Sequence, residues 1–317
     1  AKLIDQLIEE NVHNITTNTS IKYTANGFAT ELGPVTPDHV KKARQPLDEL
    51  NKIMGKSGEV EPTREIRDLN SAFFSLIPKP FSRKITEADM VLDAKTLQAE
   101  YDLLDQLATG VQMGSAMSGN AAQRANALGT DIEIVKDRGE LNRIKEYIES
   151  SKASNHRSMN VWRYKVRRIF KIRIPEERTR YERYGKKKGN IEEVFHGSAN
   201  SNLLSILKGG LIIPPVTASH VCGRMFGSGA YFANSSTKSL NYSAGFWGSR
   251  RTKYDNIFLL IADIALGKYY ETYGSLSSGT PRGYDSIWAK KGRALYNDEL
   301  ITPNLEQQTL KYLVEMV

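Results

Sequence analysis

Apolar positions in roughly the first 110 residues recur at intervals of three and four against a background rich in Glu, Lys, Leu and Gln, which predicts helices. Leu3, Ile4, Leu7 and Ile8 share one face of a helix opening at Lys2. Thr36-Pro37-Asp38 supplies an N-cap and a first-turn proline for a second helix that continues through Val40, Ala43, Leu47, Leu50 and Met54. A third helix runs through Ile66, Leu69, Phe73 and Leu76 and stops before Pro78, and a fourth spans about Leu92 to Val111. Together they predict a helical bundle. Between about Gly114 and Gly129 the composition turns to Ser, Ala, Asn, Gln and Gly, the character of a surface linker. Beyond it, short runs of β-branched and aromatic residues alternate with Gly, Asn and Ser turns. Strands are expected at 131–135, 164–174, 193–195, 256–266, 299–301 and 309–315, with helices at 140–150 and 200–207. The fold class is therefore α+β, an all-α bundle followed by a mixed domain dominated by its sheet.

Composition narrows the class. At 317 residues, with 40% hydrophobic and 25% charged residues, the chain can bury two ordinary cores. The single cysteine, Cys222, excludes an internal disulfide and leaves a zinc cluster without its usual thiolates, and the five histidines are scattered, so no metal is expected. No apolar run approaches the length of a membrane helix, so an intracellular protein with no membrane partner is expected. The net charge of +8 would favour polyanions, and the stretch from Arg163 to Arg173 alternates basic with apolar residues, as a strand with one wet face does. No nucleic-acid-binding motif frames it.

The candidate chemistry lies downstream. Phe195-His196-Gly197-Ser198 ends a strand, Met225 to Ala233 reads Met-Phe-Gly-Ser-Gly-Ala-Tyr-Phe-Ala, and Lys238-Ser239-Leu240-Asn241-Tyr242 follows. Leu259 to Gly267 reads as a buried strand, and Tyr296-Asn297-Asp298-Glu299 opens the last part of the chain. In this order the five elements closely resemble the catalytic domain of the poly(ADP-ribose) polymerases. Asp68 to Pro78 is similar to a helix of the family's regulatory helical domain, and Arg168 to Ile172 to a core strand of the transferase. The resemblance implies residues 1–112 as a helical, autoinhibitory regulatory domain, 113–130 as a linker, and 131–317 as a mainly antiparallel β ADP-ribosyltransferase fold.

That resemblance implies NAD as a substrate rather than a cofactor, consistent with the lack of a G-x-G-x-x-G opening a helix. His196 and Ser198 would hydrogen-bond ribose hydroxyls. Gly197 and Ser239 would hold the nicotinamide amide, and Tyr231 and Tyr242 would sandwich its ring, with Gly229 in the loop between. Glu299 would be the catalytic carboxylate, acting with His196 and Tyr231. Asp298 is the competing acid, and alternation along a strand lets only one of the two enter the site. The separation of thirteen from Tyr312, which the family shows, selects Glu299. Met225, Lys238 and Tyr242 match the platform for a growing chain, so polymer formation is expected. The alternatives are mono-ADP-ribosyl transfer, a non-catalytic NAD- or ADP-ribose-binding module, a basic nucleic-acid scaffold and an RNA 2′-phosphotransferase, which would carry basic residues in place of the glutamate.

Four departures from the family stand out. Ile212 occupies the place of an arginine near the adenine site, Arg224 that of a tyrosine before Met225, the segment from Thr272 to Arg293 is shortened, and Asp298 is one extra residue. Asp105 matches a regulatory-domain helix that faces the site. The expected partners are NAD, protein acceptors including the chain itself, and DNA breaks as an indirect activator through domains outside this chain, with a nuclear setting in a eukaryotic host.

Overall fold

Thr36 caps its helix as a β-region residue whose hydroxyl accepts from the His39 N–H, and Pro37 follows at the first helical position. The same chemistry starts two more helices. Thr63 accepts from Ile66, and Asp93 from Thr96 at 2.7 Å. This computed structural model describes residues 1–81, 84–216, 224–245 and 254–317, so Cys222 and His220 lie outside the described residues. The chain divides into two units, one of residues 1–128 with the described part of 214–224, the other of residues 129–213 and 225–317.

The first unit contains α1 (Lys2–Asn18), a small sheet of β1 (Lys22–Thr24), β2 (Gly27–Thr30) and β3 (Gly33–Pro34), then α2 (Pro37–Met54), α3 (Arg64–Leu76), α4 (Ala94–Met113) and α5 (Ala121–Leu128). Leu7, Ile15, Leu47, Leu50, Phe73, Leu97 and Leu107 are wholly buried between the helices, each contributing about 1.5 to 3 kcal/mol. Buried Asn70 stitches the chain ahead of α4, donating to Ile66 O and accepting from the Val91 N–H at 2.7 Å. Two features depart from the periodicity. The antiparallel sheet at 22–34 is announced only by Asn26-Gly27 between short alternating runs.

Residues 113–130, expected as a linker, instead form a 3-10 turn (Gly114–Ser118) and α5. The physical reason is a capping box. Asn120 Oδ1 accepts from the Gln123 N–H at 3.0 Å while Gln123 Oε1 accepts from the Asn120 N–H at 2.8 Å. Arg124 then pairs with Asp5 at 2.6 Å, and Leu128 is buried.

The second unit is built on two sheets. The larger has the order β4 (Asp131–Ile134), β5 (Val166–Arg173), β12 (Gln308–Met316), β8 (Ile257–Ala265) and β6 (Ile191–Gly197), every neighbour antiparallel. The smaller has the order β7 (Ala230–Phe232), β11 (Glu299–Thr302), β10 (Ser286–Ala289) and β9 (Tyr269–Thr272), with only the last pair parallel. The predicted mixed α+β class, mainly antiparallel, describes this arrangement. β8 reads IFLLIADIA and is buried on both faces, so it sits at the centre of the core. α6 (Arg138–Ser150) packs Ile144 and Ile148 onto Phe195, Leu259 and Ile261. α7 (Pro175–Arg183) escapes the periodicity because it buries only Glu177 and Tyr181. α8 (Asn200–Gly209) follows β6, and α9 (Ser236–Ser243) follows β7. Among the described residues no helix is long and apolar enough to cross a membrane.

Candidate active site

The end of β6 joins the two sheets through a reciprocal bridge, Phe195 N to Ala233 O at 2.8 Å and Ala233 N to Phe195 O at 2.9 Å. This junction places His196 against β7, with Nδ1 2.8 Å from the Tyr231 carbonyl. A carbonyl only accepts, so Nδ1 carries the proton and donates. Nε2 is left as the acceptor nitrogen. Burial holds the imidazole below its usual pKa, against the opposing pull of that hydrogen bond, so the ring is kept neutral.

Gly197 comes next, and here glycine is required by space. A Cβ would overlap the Ser239 carbonyl, at 2.7 Å from its carbon and 3.0 Å from Ser243 Oγ. The backbone of β6 therefore touches the backbone of α9, and Ser239, itself buried, lies beside Gly197. Ser198 Oγ accepts from Asn202 Nδ2 at 3.1 Å in the first turn of α8. Gly229 lets its loop pass over β11, where a Cβ would meet Ile301 Cγ2 at 2.6 Å.

Tyr231 is half-buried on β7, its hydroxyl donating to Gly227 O at 2.6 Å and accepting from Phe226 N at 3.2 Å. Met225 and Tyr231 pack on Phe226, Ile287 and Ile301. In the register of β7 with β11, Tyr231 lies opposite Ile301 and Phe232 opposite Leu300. Side chains alternate along a strand, so Glu299 shares the face of Ile301 and Tyr231, in a diagonal relation that leaves about 7 to 8 Å between them. That spacing admits a ligand group.

Glu299 is 5% exposed. Its Oε1 pairs with Lys238 Nζ at 3.1 Å, while Oε2 is buried without a partner among the described residues. Burial pushes the carboxyl above its usual range and the ammonium draws it back. Lys238 also donates to Asn297 O at 2.9 Å and Asp298 O at 3.3 Å, so all three of its N–H groups have acceptors. Tyr242 stands one turn further along α9, half-buried. Asp298 is placed elsewhere, its carboxylate taken by Trp288 Nε1 at 2.9 Å and Lys291 N at 2.8 Å.

The described contacts tie His196 to the Tyr231 carbonyl, Glu299 to Lys238, and Gly197 to Ser239, the residue after Lys238 on α9. A second histidine lies near this set. His156, which no motif singled out, is buried with Nδ1 2.9 Å from Thr237 Oγ1 and Nε2 3.4 Å from Asn297 Nδ2. Burial and the Lys238 ammonium hold its pKa down. It lies in a 3-10 turn (Ser154–His156) far from the other elements in sequence, so spacing alone could not have found it.

Residues 138–312 match the model of the Poly(ADP-ribose) polymerase catalytic domain, and residues 1–129 that of the Poly(ADP-ribose) polymerase regulatory domain. This chain belongs to the poly(ADP-ribose) polymerase family. Poly [ADP-ribose] polymerase 1 of Gallus gallus is 31% identical over 267 residues, covering 81% of this chain and 25% of that protein. The protein of the same name from Xenopus laevis is 30% identical over 266 residues with the same coverage. Protein mono-ADP-ribosyltransferase PARP3 of Homo sapiens is 26% identical over 275 residues, covering 82% of this chain and 48% of that protein. The chain thus spans about a quarter to a half of the length of these polymerase-family relatives. In the polymerase regulatory region, Asp105 on α4 pairs with Arg44 of α2 at 2.9 Å, and burial raises its pKa to about 6 against the pull of that guanidinium.

Proposed function

We propose that this chain is an NAD-dependent ADP-ribosyltransferase that cleaves the nicotinamide glycosidic bond and transfers ADP-ribose to protein acceptors, itself included, and to growing chains. The observation that supports the reading is the buried Oε2 of Glu299, without a partner among the described residues, on the sheet face it shares with Tyr231. A carboxylate so placed leaves one lone pair for the 2′-hydroxyl of the nicotinamide ribose, while Lys238 fixes its other oxygen. Loss of nicotinamide develops positive charge at the anomeric carbon, and a fixed anion in a water-poor site stabilises that charge. Neutral His196, its Nδ1 proton committed to the Tyr231 carbonyl, presents Nε2 as an acceptor for a ribose hydroxyl. The close seam of Gly197 on Ser239 offers backbone groups and a hydroxyl to the carboxamide, and Tyr231 and Tyr242 flank the pyridine ring.

NAD enters as the substrate and no step needs a metal. Because NAD is a metabolite of the cell interior, the activity belongs inside the cell, in the nucleus if the host is a eukaryote. We also infer that the regulatory region, with Asp105 on α4, restrains basal turnover, in keeping with a damage-response role in which DNA breaks are an indirect activator. Incubation with NAD tests the activity, and release of free nicotinamide above a no-enzyme blank is the expected result. Polymer formation is favoured by Lys238 paired with Glu299, by Met225 packed with Tyr231 on one apolar cluster, and by Tyr242 one turn beyond Lys238 on α9. With labelled NAD a ladder of products is expected, whereas one discrete adduct would establish mono transfer, the activity named for the PARP3 relative.

A further inference from the structure

Among the described residues Glu299 has one side-chain partner, Lys238, so the aim of its carboxylate depends on the placement of that ammonium. Lys238 is placed in turn by the carbonyls of Asn297 and Asp298. Beside the contact of Asn297 with His156, the side chain of Asp298 holds those two peptides. Its Oδ2 accepts from the Trp288 indole at 2.9 Å and more loosely from Asn234 Nδ2 at 3.4 Å, and its Oδ1 accepts from the Lys291 N–H at 2.8 Å. Trp288 is itself immobilised. It pairs with Leu300 across β10 and β11, packs against Tyr269 with ring centres 5.4 Å apart, and carries the Lys290 ammonium 3.7 Å above its ring. Asp298 therefore anchors the turn entering β11 to the rigid neighbouring strand.

We propose that Asp298, the extra residue before the glutamate, is a positioning residue: clasped by Trp288 and Lys291, it fixes the peptides that grip Lys238 and thereby aims Glu299 into the cleft. Both its oxygens are engaged, and alternation turns it away from the face of Glu299, so it is no spare acid. The inference rests on the reading of Glu299 given above, but the clasp itself can be tested without turnover.

The test uses the full chain with Asp298→Ala, Trp288→Phe, their double variant and Asp298→Asn. Hydrogen exchange across residues 297–302 is expected to quicken by about tenfold or more in Asp298→Ala and in Trp288→Phe. The kcat for nicotinamide release is expected to fall about tenfold in each, with KM for NAD within about threefold, since His196, Tyr231 and Ser239 are untouched. The double variant is expected to lose no more than the worse single, because both substitutions open the same clasp. Asp298→Asn, whose Oδ1 retains one of the two acceptor bonds, is expected to recover part of the loss. Unchanged exchange in both single variants would overturn the proposal. So would an Asp298→Ala enzyme as dead as Glu299→Gln beside a fully active Trp288→Phe, which would make the Asp298 carboxylate a reacting group. A wild-type chain that releases no nicotinamide would contradict the transferase reading instead, and the exchange data would still decide the clasp.

Discussion

Gly197→Ala isolates the seam between β6 and α9. The added methyl would lie 2.7 Å from the Ser239 carbonyl carbon, closer still to its oxygen, and 3.0 Å from Ser243 Oγ, where ordinary contacts begin at 3.4 Å. Relief requires α9 and β6 to separate by considerably more than about 1 Å at the Ser239 carbonyl oxygen, and neither can do so freely. Ser243 Oγ donates to Phe258 O at 2.6 Å and Leu240 is buried against the larger sheet. Overpacking of this kind costs about 1 to 3 kcal/mol. For a unit of this size each kcal/mol lowers Tm by about 2 to 4 °C, so a fall of about 2 to 12 °C is expected. The functional loss should be larger, because α9 carries Lys238, Ser239 and Tyr242 together. A displacement near 1 Å from the productive geometry costs about a hundredfold. Differential scanning fluorimetry and steady-state nicotinamide release, measured on one preparation, read the two effects. An alanine variant with wild-type Tm and wild-type kcat/KM would show that the seam is looser than described and refute the reasoning.

The titration of Glu299 gives a second prediction. Its carboxyl is raised by burial, so the ionised form is lost as pH falls through a pKa above the ordinary carboxylate range, and the acidic limb of kcat/KM should lie correspondingly high. The Lys238 ammonium lowers that pKa, so Lys238→Met should move the limb to still higher pH, and a limb that stays or moves down would contradict the pairing. Prolonged treatment with a strong chelator should leave nicotinamide release within about twofold, whereas a loss restored by a divalent ion would show a metal in the reaction. Removal of residues 1–128 should raise basal turnover if the regulatory region gates the cleft, and a soluble fragment with unchanged or lower rates would count against the gate.

Apolar spacing and the Thr36 cap made most of the first unit legible, because both act locally along the chain, while the caps at Thr63 and Asp93 are seen only in the structure. The capped helix at 121–128 was hidden by its composition. Asn120 and Gln123 look like linker residues until their reciprocal bonds are seen. Charge hid α7 in the same way. Glu177 is nevertheless buried in it, accepting from the Leu310 N–H at 2.7 Å, and desolvation raises its carboxyl while that bond opposes. At the site, the residue types of His196, Gly197, Tyr231, Ser239 and Glu299 could be read from ordered motifs. The choice of Glu299 over Asp298 rests on the resemblance, through the separation of thirteen from Tyr312, because alternation alone says only that one acid faces the cleft. What Asp298 does instead could not be read, since its partners, the Trp288 indole and the Lys291 N–H, are set by the tertiary structure. His156 was beyond reach for the same reason, since nothing near it in sequence reports its approach to Thr237 and Asn297.

Nicotinamide release by Glu299→Gln, compared with wild type at saturating NAD, tests the central assignment most directly. Glutamine keeps the shape and can still accept from Lys238, but it removes the charge that faces the ribose. The account predicts a fall in kcat of at least about a hundredfold in a variant that melts as the wild type does, the usual scale for loss of one electrostatic contact to a charged transition state. A well-folded Glu299→Gln enzyme retaining more than about a tenth of wild-type kcat would contradict it.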